Sequence, residues 1–216
     1  MQRAMQTQSD SGTKTRLLAA AREQFALHGV KDTTVRDICT RAGANVAAVN
    51  YHFGGKDKLF MAVLMDFLEQ ARLKYPVNMG LGPEAPAEEH LKAYIRSLLY
   101  RLMGDGDPVN EKLGQLLSAE FIEPSDNFEI VTERFVTPHH KVLLDILRQL
   151  LPVAEERIVH LCAAGVVGHC LLFDNAKQLI RRMYPELALE ALGVELVADF
   201  VFRYAQAGIA RMGESS

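Results

Sequence analysis

Apolar residues return at intervals of three and four along nearly the whole chain, a period that suits helices and not strands. Leu17, Ala21, Phe25 and His28 make one such run, and Ile95, Leu98, Leu99 and Leu102 make another. No stretch carries convincing β-alternation. Glycine and proline punctuate the pattern at Gly29, Gly43, Gly54–Gly55, residues 79–86, residues 104–108, Pro124, Pro152 and Pro185. These breaks predict helices over roughly 12–28, 35–41, 46–52, 56–78, 86–103, 108–123, 126–150, 153–183 and 186–212. Pro138 predicts a kink or split in the seventh.

Charge divides the chain unevenly. The net charge is −3, but residues 1–60 hold nine Lys/Arg against five Asp/Glu, and the remainder holds fifteen against twenty-two. A basic head on an acidic body suggests that only the head meets a polyanion. The 216 residues exceed one domain of about 100–150 residues, and a 49% hydrophobic content suits a packed core. The first dozen residues are polar, with no secretory apolar core. The longest nearly apolar stretch, residues 161–173, falls short of the ~20 residues of a membrane span, so no membrane partner is expected. Cys39, Cys162 and Cys170 form no paired or zinc-binding spacing. The expected location is the cytoplasm.

The informative segment runs from Lys31 to Phe60. Thr34 can cap a helix beginning at Val35, with Asp37 placed for a capping box. Gly43 supplies the left-handed residue that closes this helix, and Asn45 can cap the next. Two short helices around a tight glycine turn describe a helix-turn-helix, although the same spacing also occurs in ordinary bundles. Ile38, Val49 and Phe53 would meet the Leu17/Ala21/Phe25 stripe in a small three-helix core. Lys56 opens a helix, where the macrodipole disfavours a cation unless an anion is shared. With the hydroxyls of Thr33 and Thr34 and the donors of Tyr51 and His52, it reads as a set of phosphate contacts.

The run from Thr15 to Phe25, Gly29, the Thr34–Ile38 segment, Ala42-Gly43 and the Tyr51-His-Phe-Gly-Gly-Lys56 motif followed by Leu59 resemble the TetR/AcrR DNA-binding domain. The Val46–Lys56 sequence, with its asparagine, and more weakly the Glu120–Ser125 segment, are similar to the CecR-like branch. That branch is associated with membrane transport and antibiotic sensitivity. The resemblance implies an all-α protein: a helix-turn-helix DNA-binding domain over residues 1–60 and a larger effector-binding and dimerisation domain over 61–216. It further implies that Val46, Ala47, Ala48 and Asn50 face the major groove, that Thr34 and Lys56 hold phosphates, and that Tyr51 and His52 lie near the backbone. Val46, Ala48 and Asn50 depart from the Lys/Arg, Thr/Ser and Tyr common in the family. Asn50 could pair with an adenine or hold a phosphate, Asn45 could read a base or cap its helix, and Arg36 could add a base contact.

In the body, the last two helices are long enough to pair with a second copy as a four-helix bundle, giving a homodimer. Residues 163–168 are small enough for close approach, and Leu192, Leu196, Phe200 and Tyr204 form an apolar stripe. For a small, mostly apolar effector the candidates are Phe67, Tyr94, Leu98, Met103, Leu117 and Phe121, with Phe135, His139, His169 and Phe173 beyond them. Glu120 could meet a cationic ligand or an arginine. No metal or cofactor motif is found, and the signatures of a di-iron bundle, a serine hydrolase, a P-loop or a dinucleotide fold are missing. The expected function is a repressor of transport or drug-resistance genes, released from a palindromic operator by its effector. The alternatives are a helical-bundle enzyme or a carrier without DNA binding.

Overall fold

A computed structural model describes residues 2–104, 106–126, 128–187 and 189–214, with side chains left undescribed at 2–11, 189–192 and 214. Every regular element among the described residues is helical. Helix α1 spans Gln2–Asp32, interrupted at Gly29 (φ 75°, ψ 173°), the stop its glycine predicted. It is followed by α2 (Val35–Ala42), α3 (Val46–Phe53) and α4 (Lys56–Lys74). Helix α4 ends earlier than expected because Pro76 disfavours helical geometry in the residue before it.

Helices α5 (Ala87–Met103) and α6 (Pro108–Ile122) come next. The expected seventh helix is split. A short α7 (Glu129–Val131) widens into a π-helical turn (Thr132–Val136) before α8 (Thr137–Leu150). Pro138 has no N–H to give the carbonyl four residues earlier, and the wider turn accommodates that loss. The expected eighth helix is also divided, into α9 (Glu156–Asn175) and α10 (Lys177–Met183), at Ala176. A single 3₁₀ turn (Pro185–Leu187) leads to α11 (Leu189–Glu214), which bends at Gly193 (φ 66°, ψ 163°).

The chain forms two compact units, and they do not follow a single cut near residue 60. One contains residues 1–69 and 106–131, the other 70–105 and 132–216. Packing explains the first grouping. Leu59, Phe60, Val63, Leu64 and Phe67 of α4 share a core with Leu17, Phe25, Ile38 and Val49, and Leu113 and Leu117 of α6 join it. Arg22 of α1 donates to Asn110 Oδ1 at the start of α6 and lies 3.8 Å from Asp66. The second unit is built around Leu91, Ile95, Leu99, Leu143, Leu147, Val166 and Val201, supplied by α5, α8, α9 and α11.

Candidate nucleic-acid interface

Three short-range polar devices shape the α2–α3 segment. Thr34 Oγ1 accepts from Asp37 N (3.2 Å), and Asp37 Oδ2 accepts from Thr34 N (3.2 Å), which closes the capping box. Thr34 Oγ1 also donates to Asp37 Oδ2 (2.5 Å), and these bonds hold the Asp37 carboxyl below its usual range. Gly43 (φ 60°) ends α2, and Ala44 N donates to Cys39 O (3.0 Å). Asn45 Oδ1 then accepts from Ala48 N (2.9 Å) and starts α3. Beneath them, Ile38 and Val49 are fully buried on the Leu17/Ala21/Phe25 stripe, while Phe53 is half-buried at its margin.

One face of α3 is left outward. Val46, Ala47, Asn50 and Tyr51 are exposed, Tyr51 at 76%, and Arg36 is exposed on α2. Their spacing of one, three and four residues puts them on one helical surface. Ala48 and His52 are half-buried, and Ala48 packs against the core. Asn45 is exposed with its side-chain oxygen engaged in the cap, so its capping role is the one the geometry displays.

Two of the residues expected to hold phosphates bond within the protein. Thr33 is only 1% exposed, and its hydroxyl donates to Gly29 O (2.7 Å) and Gln24 O (3.1 Å), so it closes the end of α1. Lys56 does not extend outward. Its Nζ donates to Val30 O (2.8 Å) and Thr33 O (3.1 Å). The carbonyl end of α1 thus supplies the negative partner that a cation at the start of α4 lacks on its own helix.

The expected effector residues belong to two separate cores. Phe67, Leu117 and Phe121 lie in the first unit, with Phe121 meeting Phe128 edge-on (5.4 Å). Tyr94, Leu98, Met103 and Phe173 lie in the second, where Phe135 is also buried. Glu120 Oε2 accepts from Ser125 N (3.0 Å) and Ser125 Oγ (2.8 Å). His139 Nδ1 donates to Phe135 O, and burial, then the Arg101 charge, depress its pKa. His169 Nδ1 is bonded to Gly165 O (2.8 Å) and its ring meets Tyr204 at 4.7 Å. It lines an apolar groove of about 290 Å³ between α9 and α11, with Leu161, Cys162, Gly165, Gly208 and Met212. No group of metal-ligating side chains occurs among the described residues. Burial raises the pKa of all three cysteines.

Periodicity missed Arg101 and Ser97. Both are buried on α5, and both donate to Tyr75 O, just past the end of α4 (Ser97 Oγ 2.8 Å, Arg101 Nη2 3.0 Å). An arginine two turns from Tyr94 in an apolar stripe was the available signal.

Comparison with known proteins bears on both regions. Residues 17–63 match the model of bacterial regulatory proteins of the tetR family, and residues 87–212 match the C-terminal domain of the HTH-type transcriptional dual regulator CecR. The chain is 30% identical over 207 residues to the CecR regulator of Shigella flexneri, covering 87% of each. It is 26% identical over 141 residues to the SrpR regulator of Pseudomonas putida, covering 63% of this chain and 62% of that one. Among solved structures, a TetR-family regulator from Streptomyces coelicolor superposes with a TM-score of 0.59 at 21% identity (93% and 95% covered). A tetR-family regulatory protein from Rhodococcus RHA1 gives 0.65 at 16% (91% and 96% covered).

Proposed function

Because this chain belongs to the TetR family of bacterial transcriptional regulators, with a C-terminal domain of the CecR type, we propose that it is an effector-released repressor acting as a homodimer on a palindromic operator. Its helix-turn-helix makes it a DNA-binding regulator, and its relatives regulate transcription and are not enzymes. The observation that carries the DNA reading is the exposed α3 face of Val46, Ala47, Asn50 and Tyr51, on a helix capped at both ends. In the proposed complex Asn50 reads a base, Val46 and Ala47 make apolar contacts, and Arg36, Thr34 and Tyr51 meet the backbone or neighbouring bases. Lys56 and Thr33 brace the scaffold. Two such helices would lie about one duplex turn apart, ~34 Å, on the operator.

The proposed dimer uses α9 and α11. Leu196, Phe200 and Tyr204 are more than half exposed on α11, as is Leu161 on α9; Leu192 lies outside the described side chains. Gly165 and Gly208 line the groove between them, and a Cβ at either would meet nothing in the chain itself. A second copy would give those glycines a reason to be small. Helix α9 has the length and mean hydropathy (1.4) of a membrane span. Its buried side packs Val159, Ala163, Val166 and Cys170 into the core, which favours a partner chain over lipid and a cytoplasmic location. Activation beside repression is a second reading, because the Shigella flexneri relative is described as a dual regulator. Selecting host genomic fragments on the purified protein and testing nearby promoters tests both: recovery of one palindromic site supports the reading, and sequence-independent recovery opposes it.

A further inference from the structure

The second unit holds a buried cation that has no carboxylate beside it among the described residues. Arg101 is 8% exposed and lies on α5 two turns after Tyr94, which is 5% exposed, so both project from one face of the helix. Helix α5 packs against α8, which carries His139, and against α9 and α11. Arg101 Nε and Nη2 are bonded to neutral oxygens, those of Tyr75 O and Ser97 Oγ. Among the described residues nothing accepts from Arg101 Nη1, and nothing bonds Tyr94 Oη. The unpartnered side-chain polar atom that is sealed away among these residues is Arg96 Nε. Arg101 Nη1 and Tyr94 Oη therefore each keep a small accessible face.

The electrostatics agree with that geometry. Desolvation, with Arg72 nearby, draws Arg101 down to about 10, and neither of the charged or titratable neighbours that act on it, Tyr94 and Arg72, is a carboxylate. Burial, and then the Arg101 and Arg72 charges, also lower the pKa of His139. Burial of an uncompensated guanidinium costs stability, and the end of α4 offsets it only with carbonyl oxygens. A buried positive centre with two spare donors, in a unit whose core is otherwise apolar, suits an anion attached to an apolar body.

We propose that Arg101 and Tyr94, flanked by His139, form the subsite that receives the carboxylate of a mostly apolar effector. This rests on the effector-released reading above and adds the chemistry of the ligand's head. The probes are straight-chain carboxylates from hexanoate to tetradecanoate, kept below their micelle concentrations, each compared with the alcohol of equal length by titration calorimetry on the full-length protein. A carboxylate of matching length binds once per chain, about tenfold or more tighter than its alcohol, as expected for hydrogen bonds to a charged group. Arg101→Met removes that preference and keeps the alcohol's affinity, and Tyr94→Phe reduces the preference. Equal binding of acids and alcohols by the wild type, or a preference unchanged in the variants, overturns the subsite. If Arg101→Met does not fold, Tyr94→Phe decides, since it removes one oxygen and keeps the ring. Operator release is followed separately by fluorescence anisotropy. Binding with the predicted preference but without release leaves the subsite standing and counts against the effector reading. Release without a carboxylate preference does the reverse.

Discussion

The helix-turn-helix caps and the helix-joining pairs of the second unit place their polar side chains at different ranges. Around α2 and α3 the partners are near in sequence: Thr34 with Asp37 and Asn45 with Ala48, each three residues apart. In the second unit the pairs that join α5 to α11 are distant: Arg96 with Glu195 (2.6 Å, 99 residues apart) and Lys92 with Asp199 (3.4 Å, 107 apart). Tyr100 OH adds a bond to Glu195 (2.8 Å), and Tyr100 stacks on Tyr75 at 4.5 Å. Local caps fix a small rigid surface whatever surrounds it. Long-range pairs tie helices together and change when those helices shift, which suits the ligand response proposed above.

The largest expected effect breaks the small core under the recognition surface. Phe25 is fully buried and meets Phe60 edge-on at 5.3 Å. Phe25→Ala should cost about 3–5 kcal/mol. Chemical denaturation should then show the first unit melting before the second; loss of both together would mean that the two regions share one stability.

Lys56 sharpens the comparison next. Lys56→Met removes a charged donor from two carbonyls and should cost about 1.5–3 kcal/mol. Operator affinity should fall while its dependence on salt keeps the same slope. A slope flatter by about one unit would return Lys56 to the phosphate backbone.

Asn50 tests readout on the exposed face. Asn50→Ala should cost about 1–3 kcal/mol on the cognate operator and relax one base pair per half-site. A panel of single-base operator variants would reveal it, and parallel loss across the panel would indicate a phosphate contact. Thr34→Ala should cost about 1 kcal/mol through the lost cap, seen as a lower melting temperature.

The smallest effect belongs to the second unit. His139 has a folded pKa below its unfolded value near 6.5. The unfolded chain therefore binds more protons between those two values, and stability is retained above about 6.5 and lost as pH falls toward the folded pKa. Melting curves from pH 7.5 to 5.5 should show this decline flattened in His139→Gln; an unchanged decline would assign it to other groups.

Legibility in the sequence followed the same division. Thr34, Asp37, Gly43 and Asn45 announced their caps because their partners lie within one helical turn. The helical class and most breaks were equally readable. Gly193 and Ala176 were not, because neither a lone glycine in an apolar run nor an alanine signals a stop by itself. The internal bonds of Lys56 and Thr33 were not legible, because their acceptors, Val30 O, Thr33 O and Gly29 O, are backbone carbonyls that leave no trace in side-chain spacing. The grouping of α6 with the first unit rests on Leu113 and Leu117, which look like any other amphipathic stripe. Arg101 shows the same limit: its partner, Tyr75 O, lies 26 residues back.

The exposed α3 face must grip duplex DNA if the protein is to act as proposed. Anisotropy of a labelled duplex selected from the host genome, titrated from 50 to 200 mM salt beside an unrelated duplex, tests it most directly. The prediction is tight binding to the selected site, a logarithmic decline with salt that reflects several phosphate contacts, and far weaker binding to the unrelated duplex. Equal affinity for both duplexes, or affinity that ignores salt, would contradict it.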